Sequence, residues 1–197
     1  MLDSRRVALL GVLAAINAMV RLMGAGVAGI ETAFALIVLS GYVFGWRFGS
    51  ALGLLSILAS AIMSGGIGPW LPFQLAGASL VGAGAGILPK TKNLKARLVV
   101  TSGYAVLASY FYGIFLTAWT WPLFVGPGTS ISYLEGGSLM ENISRFVQFE
   151  IVSGGLLWDT GRAITTVVLI ALVGKTLMIA LERVTNRVDF SRVPIQP

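Results

Sequence analysis

Apolar runs long enough to cross a bilayer recur from one end of this chain to the other, and no polar stretch of domain size separates them. They cover approximately residues 7–22, 28–44, 49–64, 71–88, 98–119 and 161–181. One crossing takes about 20 apolar residues, so 197 residues hold six crossings and no soluble domain. Charge content agrees, because only 11% of the residues are charged where a soluble domain carries about a quarter. The expectation is an all-α integral membrane protein, a compact bundle of six transmembrane helices forming a single membrane domain over 1–197, with 182–197 as a basic tail. The run 49–64 covers only about 24 Å against a hydrocarbon core of roughly 30 Å. A re-entrant hairpin of the second and third runs therefore stays open as an alternative. Val7–Leu22 follows Arg5 and Arg6 in the manner of a signal peptide, but Arg21 is a poor cleavage neighbourhood and further spans follow, so it is read as a retained helix.

Loop charges orient the bundle. With six spans and both termini on one side, that side collects Arg5, Arg6, Arg47, Lys90, Lys92, Lys95, Arg97, Lys175, Arg183, Arg187 and Arg192. The other side holds Arg21, Arg145 and Arg162 against Glu31, Glu135, Glu141, Glu150 and Asp159. By the positive-inside rule both termini are cytoplasmic, and the outer side receives the loop 24–31, the turn at 64–74 and the long segment 121–160. The net charge of +6 is thus a matter of membrane topology and not of nucleic-acid binding.

Several chemistries are excluded. The chain has neither cysteine nor histidine, which removes disulfides, thiolate and imidazole metal sites, and the usual nucleophiles and general bases. No metal site and no cofactor are expected. Gly24, Gly26 and Gly29 have dinucleotide-fingerprint spacing but follow a membrane helix instead of a strand. Gly174-Lys175-Thr176 imitates the end of a P-loop whose leading glycine is replaced by Leu169. Asn142-Ile143-Ser144 fits a glycosylation acceptor, which matters only in a eukaryotic secretory setting.

Small and aromatic residues carry more information. Gly11, Ala14, Ala15 and Ala18 share one face of the first helix, open either to packing within the bundle or to docking of a separate protein. Gly82 and Gly86 form a GxxxG pair best suited to packing inside the bundle. "SGGIGPWLPFQ", residues 64–74, breaks two apolar runs with glycine and proline, and irregular backbone at membrane depth is tolerated where it is buried or lines a cavity. Trp70 and Phe73 offer stacking faces and Gln74 both donors and acceptors, although an interfacial aromatic belt also accounts for the tryptophan. Trp158 and Asp159 lie at the start of the last helix, where Asp159 has three uses: capping that helix, pairing with Arg162 three residues on, or meeting a ligand. Asn17, inside the first run, is either satisfied within the bundle or turned toward a cavity.

The basic start, the Ala14-x-x-x-Ala18 helix, and the ordered set "GAGVAGIETAF", "ASAIMSGGIGPWLPFQ" and "GAGAGILPK" resemble the substrate-binding S component of an energy-coupling factor (ECF) transporter, especially actinobacterial-type members. The resemblance runs from about Arg5 to Arg187. It implies a subunit without ATPase motifs of its own in the bacterial plasma membrane, capturing a vitamin or related micronutrient from outside. It also implies a transmembrane T component and two cytoplasmic ATPases as partners. Carried onto this chain, Ala14 and Ala18 mark the face that meets the T component, and the turn 64–74 caps the ligand pocket, with Trp70, Phe73, Gln74, Trp158 and Asp159 as substrate-binding candidates. A cobalamin-like ligand is the loosest part of the implication, since riboflavin or a queuosine precursor fits the same residues. An integral membrane enzyme acting on a lipid and a non-catalytic helical scaffold are the competing readings.

Overall fold

The computed structural model describes residues 4–24 and 30–187. Gly26, Gly29, the first two residues of the expected 28–44 span and Arg192 of the basic tail lie outside the described residues. Seven helices follow in order: α1 Ser4–Gly24, α2 Ala33–Phe44, α3 Trp46–Ser64, α4 Leu71–Gly86, α5 Leu94–Phe124, α6 Leu139–Val152 and α7 Gly155–Arg187. No strand occurs among the described residues. Four helices are long and apolar enough to cross a membrane, namely those over 4–24, 46–64, 94–123 and 155–185.

Helix α2 is the hub. It packs against α1, α3, α4, α5 and α7, and nine of its twelve residues are buried, from Ala33, Phe34 and Ala35 through Ile37, Val38 and Leu39 to Tyr42. A helix apolar all round belongs inside a bundle. At 12 residues it is about 18 Å long, so the short helix is the second and not the third, and α3 runs to 19 residues. The residues just before α2 are tied to α1 instead of continuing the helix: the Thr32 hydroxyl donates to the carbonyl of Val20 at 2.7 Å, and Glu31 faces Arg21.

Only Gly45 separates α2 from α3, and its φ of +91° is a backbone conformation that side-chain-bearing residues rarely adopt. The two helices fold back on each other there, and α3 then lies against α4 at backbone contact. A β-carbon on Gly82 would run into the Gly49 backbone, and one on Gly53 into the carbonyl of Ala78. Gly86 abuts the backbone of Trp46 in the same way. The GxxxG pair of α4 thus serves packing within the bundle, where lipid supplies no hydrophobic drive and close van der Waals contact takes its place.

The end at which α1 begins is basic and tightly latched. Lys90 Nζ donates to the carbonyl of Tyr42 and sits 4.0 Å from that ring's centroid, while Arg97 pairs with Glu182 of α7. Arg6 of α1 and Thr185 of α7 line one cavity with Val43, Phe44 and Trp46, so the start of α1 and the end of α7 meet at this end.

At the opposite end the expected outer segment 121–160 carries a further helix, α6. Ser138 caps α6 by accepting from the amide of Glu141, and the Asn142 side chain clasps both the amide and the carbonyl of Leu134. Arg145 donates to the carbonyls of Thr129, Ser130 and Ser132, and Trp121 Nε1 to that of Ile131 at 2.7 Å. These contacts fix residues 125–138 against α6, which packs on α5 and α7.

Candidate functional site

Five ionisable residues that the chain scatters over 140 positions are linked through Tyr112 of α5 and Asp159 of α7: Arg21 and Glu31 at the α1–α2 end, Glu150 on α6, and Asp159 and Arg162 on α7. Arg162 of α7 is buried, donates through Nη1 to Asp159 Oδ1 at 2.5 Å and to the carbonyl of Ser109 at 3.0 Å. Its guanidinium lies 4.9 Å from the centroid of Tyr112 and 5.7 Å from that of Phe34, and those two rings meet edge to face at 4.9 Å. Arg21, whose charge also acts on Tyr112 together with that of Glu31, donates to Ser60 Oγ at 2.9 Å and faces Glu31 with an N–O separation of 3.5 Å. Glu150, on α6, approaches Asp159 and the Thr117 side chain of α5.

Local sequence explains these placements. Asp159, Arg162 and Thr166 follow at three and four residues, hence one face of α7, and Asn17 precedes Arg21 by one turn on α1. Glycines make room for the carboxylates: a β-carbon at Gly113 would collide with that of Asp159, and one at Gly155 with that of Glu150.

The cluster is buried but not satisfied from within. The Asn17 amide, the Tyr112 hydroxyl, Arg162 Nε, Asp159 Oδ2, both Glu150 oxygens, Thr166 Oγ1 and Trp119 Nε1 have no hydrogen-bond partner among the described residues. Buried polar groups are nearly always paired, and leaving one unpaired costs about 1–3 kcal/mol. Buried ionisable and polar groups left unpaired in this way mark the region as a candidate functional site.

The family model described as ECF transporter, substrate-specific component, matches residues 5–182. The chain belongs to this ECF substrate-specific family. Its role is accordingly that of a transporter subunit that binds substrate, not of a catalyst, and it is a multi-pass protein of the cell membrane. The family works with a T component and ATPases on a small-molecule cargo. No individual curated protein matches the chain.

For this ECF subunit, the candidate site residues read from sequence take different places. Asp159 lies at the centre of the cluster; because α7 starts at Gly155, it sits inside the helix and pairs with Arg162 instead of capping. Phe73 stacks on Trp119 at 3.8 Å and lies one turn from Gly77, whose face meets Tyr112. Trp70 and Trp158 are about half exposed, and Trp70 folds over Gly68 in the six-residue turn between α3 and α4. Gln74 is half-buried in the first turn of α4. That turn follows Ser60, the partner of Arg21, so it covers the same end of the bundle as the cluster. No direct contact brings Trp70, Phe73 or Gln74 to Asp159 among the described ring, salt-bridge and hydrogen-bond contacts.

The small-residue face of α1 is divided. Ala14 and Ala18 are buried on the side turned to α2 and α3, whereas Gly11 and Ala15 are exposed on the outer surface. Sequence reasoning did not single out Tyr112, Phe34 or Trp119. The available signal was the set of ionisable residues near apolar helix ends, which points to this region but not to the rings between them.

Proposed function

We propose that this subunit captures a small organic nutrient from the outer side of the membrane, in the cluster around Tyr112, Asp159 and Arg162, and hands it to a T component driven by two separate ATPases. The buried polar atoms of Tyr112, Glu150, Asp159 and Arg162 that find no partner among the described residues are the observation that carries this reading. Six helices cross the membrane, α2 and α4 as short spans held inside the bundle, and both termini are cytoplasmic. The eleven-to-three division of basic residues supports that orientation, because the cluster then opens outward. Trp70, Phe73, Gln74 and Trp158 form the rim: the turn 65–70 and the stacked Phe73–Trp119 pair close over the ligand. The ring faces of Phe34, Tyr112, Phe73 and Trp119 and the unpaired polar atoms suit a vitamin-sized ring system with several donors and acceptors, of which cobalamin is the bulkiest candidate. The T component meets the exposed side of α1 through Gly11 and Ala15, with Ala14 and Ala18 holding α1 to the bundle behind them.

Sidedness is testable directly, since the chain has no cysteine of its own. Single cysteines at Lys92 and Ser138 should label with a membrane-impermeant maleimide from opposite faces, Ser138→Cys in intact cells and Lys92→Cys only after lysis. Labelling of both from the same face would contradict outward capture.

A further inference from the structure

The acids and bases of the cluster do not balance. Arg21 faces Glu31 and Arg162 holds Asp159, which leaves Glu150 with no basic side chain among its ion pairs, although it is 97% buried. Among the described residues both of its carboxylate oxygens lack a hydrogen-bond donor, the hydroxyl of neighbouring Thr117 being given to the carbonyl of Gly113 at 2.7 Å, and Asp159 keeps Oδ2 unpaired. Gly155 is what lets the carboxylate turn inward at the α6–α7 junction, because a β-carbon there would occupy the position of Oε2. The arrangement is not a metal cage: no group of three or more Asp, Glu, His or Cys residues able to hold a metal ion occurs among the described residues.

From this imbalance we infer that the substrate carries a positively charged nitrogen with N–H donors, an ammonium or protonated ring amine, and that Glu150 and the free oxygen of Asp159 receive it. The inference rests on the capture site proposed above and names its substrate class. A cation supplies what the site lacks, because one protonated amine presents up to three donors and the missing positive charge. Anionic nutrients would meet Glu150 and Asp159 as like charges.

Groups around Glu150 set the pH behaviour. Burial pushes its carboxyl above the ordinary carboxylate range, the Thr117 side chain pulls the other way, and the Asp159 charge raises it further. Arg162, across Asp159, is the nearest cation on α7. An acid with a raised folded-state value destabilises the fold as pH rises through that value, so a neutral amide in its place leaves the free protein at least as stable at neutral pH. Cation binding has the opposite dependence: affinity is full where Glu150 is ionised and falls by up to tenfold per pH unit below its titration.

The test uses the purified full chain in detergent, its melting temperature being read against pyridoxamine and 7-aminomethyl-7-deazaguanine as ring probes that carry an ammonium, riboflavin and cobalamin as uncharged-ring and bulky ones, and biotin as an anion. At least one cationic probe should raise the melting temperature, and Glu150→Gln should weaken its binding ten- to a hundredfold while melting no lower than wild type without ligand. A shift produced only by riboflavin, cobalamin or biotin, no shift from either amine, or an amine affinity unchanged in Glu150→Gln would each overturn the inference. Tyr112→Ala separates the two levels of the account. If a neutral or anionic probe binds wild type and is lost in Tyr112→Ala, the site stands and the cationic class fails; if binding survives that change, the site itself is wrong.

Discussion

Arg162→Met should lower the stability of the folded protein by about 3–5 kcal/mol, because it strands the carboxylate of Asp159 in a buried site without its cation. The same change removes the donor to the Ser109 carbonyl and the cation over the Tyr112 and Phe34 rings. A thermal melt should move down by on the order of 10 °C. Adding Asp159→Leu should recover most of the loss, since exchanging a whole buried pair for apolar side chains is often neutral. The double variant, folded but without the pair, then lacks the polar anchor of the site and should not retain ligand. Equal stability of Arg162→Met and wild type would mean that the pair is hydrated instead of buried.

Gly82→Leu should abolish recovery of folded, monodisperse protein. The reason is the α3–α4 contact, in which the position of a β-carbon on Gly82 is already filled by the Gly49 backbone, and backbone cannot move aside as a flexible side chain can. Even Gly82→Ala should cost about 1–3 kcal/mol, the usual scale for forcing extra carbon into a packed core. Gly103→Ala is the matched control: Gly103 is also helical, but nothing lies within 4 Å of the position a β-carbon would take there, on the exposed side of α5. There the helix propensity of alanine should leave stability unchanged or raised by up to about 1 kcal/mol. Comparable folding of Gly82→Leu and Gly103→Ala would contradict the close approach of α3 and α4.

How much of this was legible in the sequence depended on the distance over which the deciding contacts act. The apolar runs reported local hydrophobicity, so the all-helical fold could be read from them, and the GxxxG spacing of Gly82 and Gly86 was enough to point to helix packing. The start of α2 was not readable, because it is set by Thr32 and Glu31 reaching back to Val20 and Arg21 of α1, a contact invisible to hydropathy. Helix α6 escaped for a different reason. It is too short and too polar to register as a span, yet Ser138 followed three residues later by Glu141 is a capping signal that was present in the sequence. For the site, topology alone placed Arg21, Glu31, Glu150, Asp159 and Arg162 toward one side. Which rings stand among them depended on helix rotation: Tyr104, Tyr110 and Tyr112 look alike in sequence, and only the last is turned toward Phe34 and Arg162. The same rotation divided the small-residue face of α1, hiding Ala14 and Ala18 and leaving Gly11 and Ala15 outside.

Capture in the polar cluster is tested most directly by native mass spectrometry of the purified chain, comparing wild type with the Arg162→Met/Asp159→Leu double variant after incubation with a nutrient extract. Wild type should carry one small organic molecule per chain, and the double variant, equally well folded by its thermal melt, should carry none. A molecule retained to the same extent by both, or none retained by wild type, would contradict the placement of the substrate between Tyr112, Asp159 and Arg162.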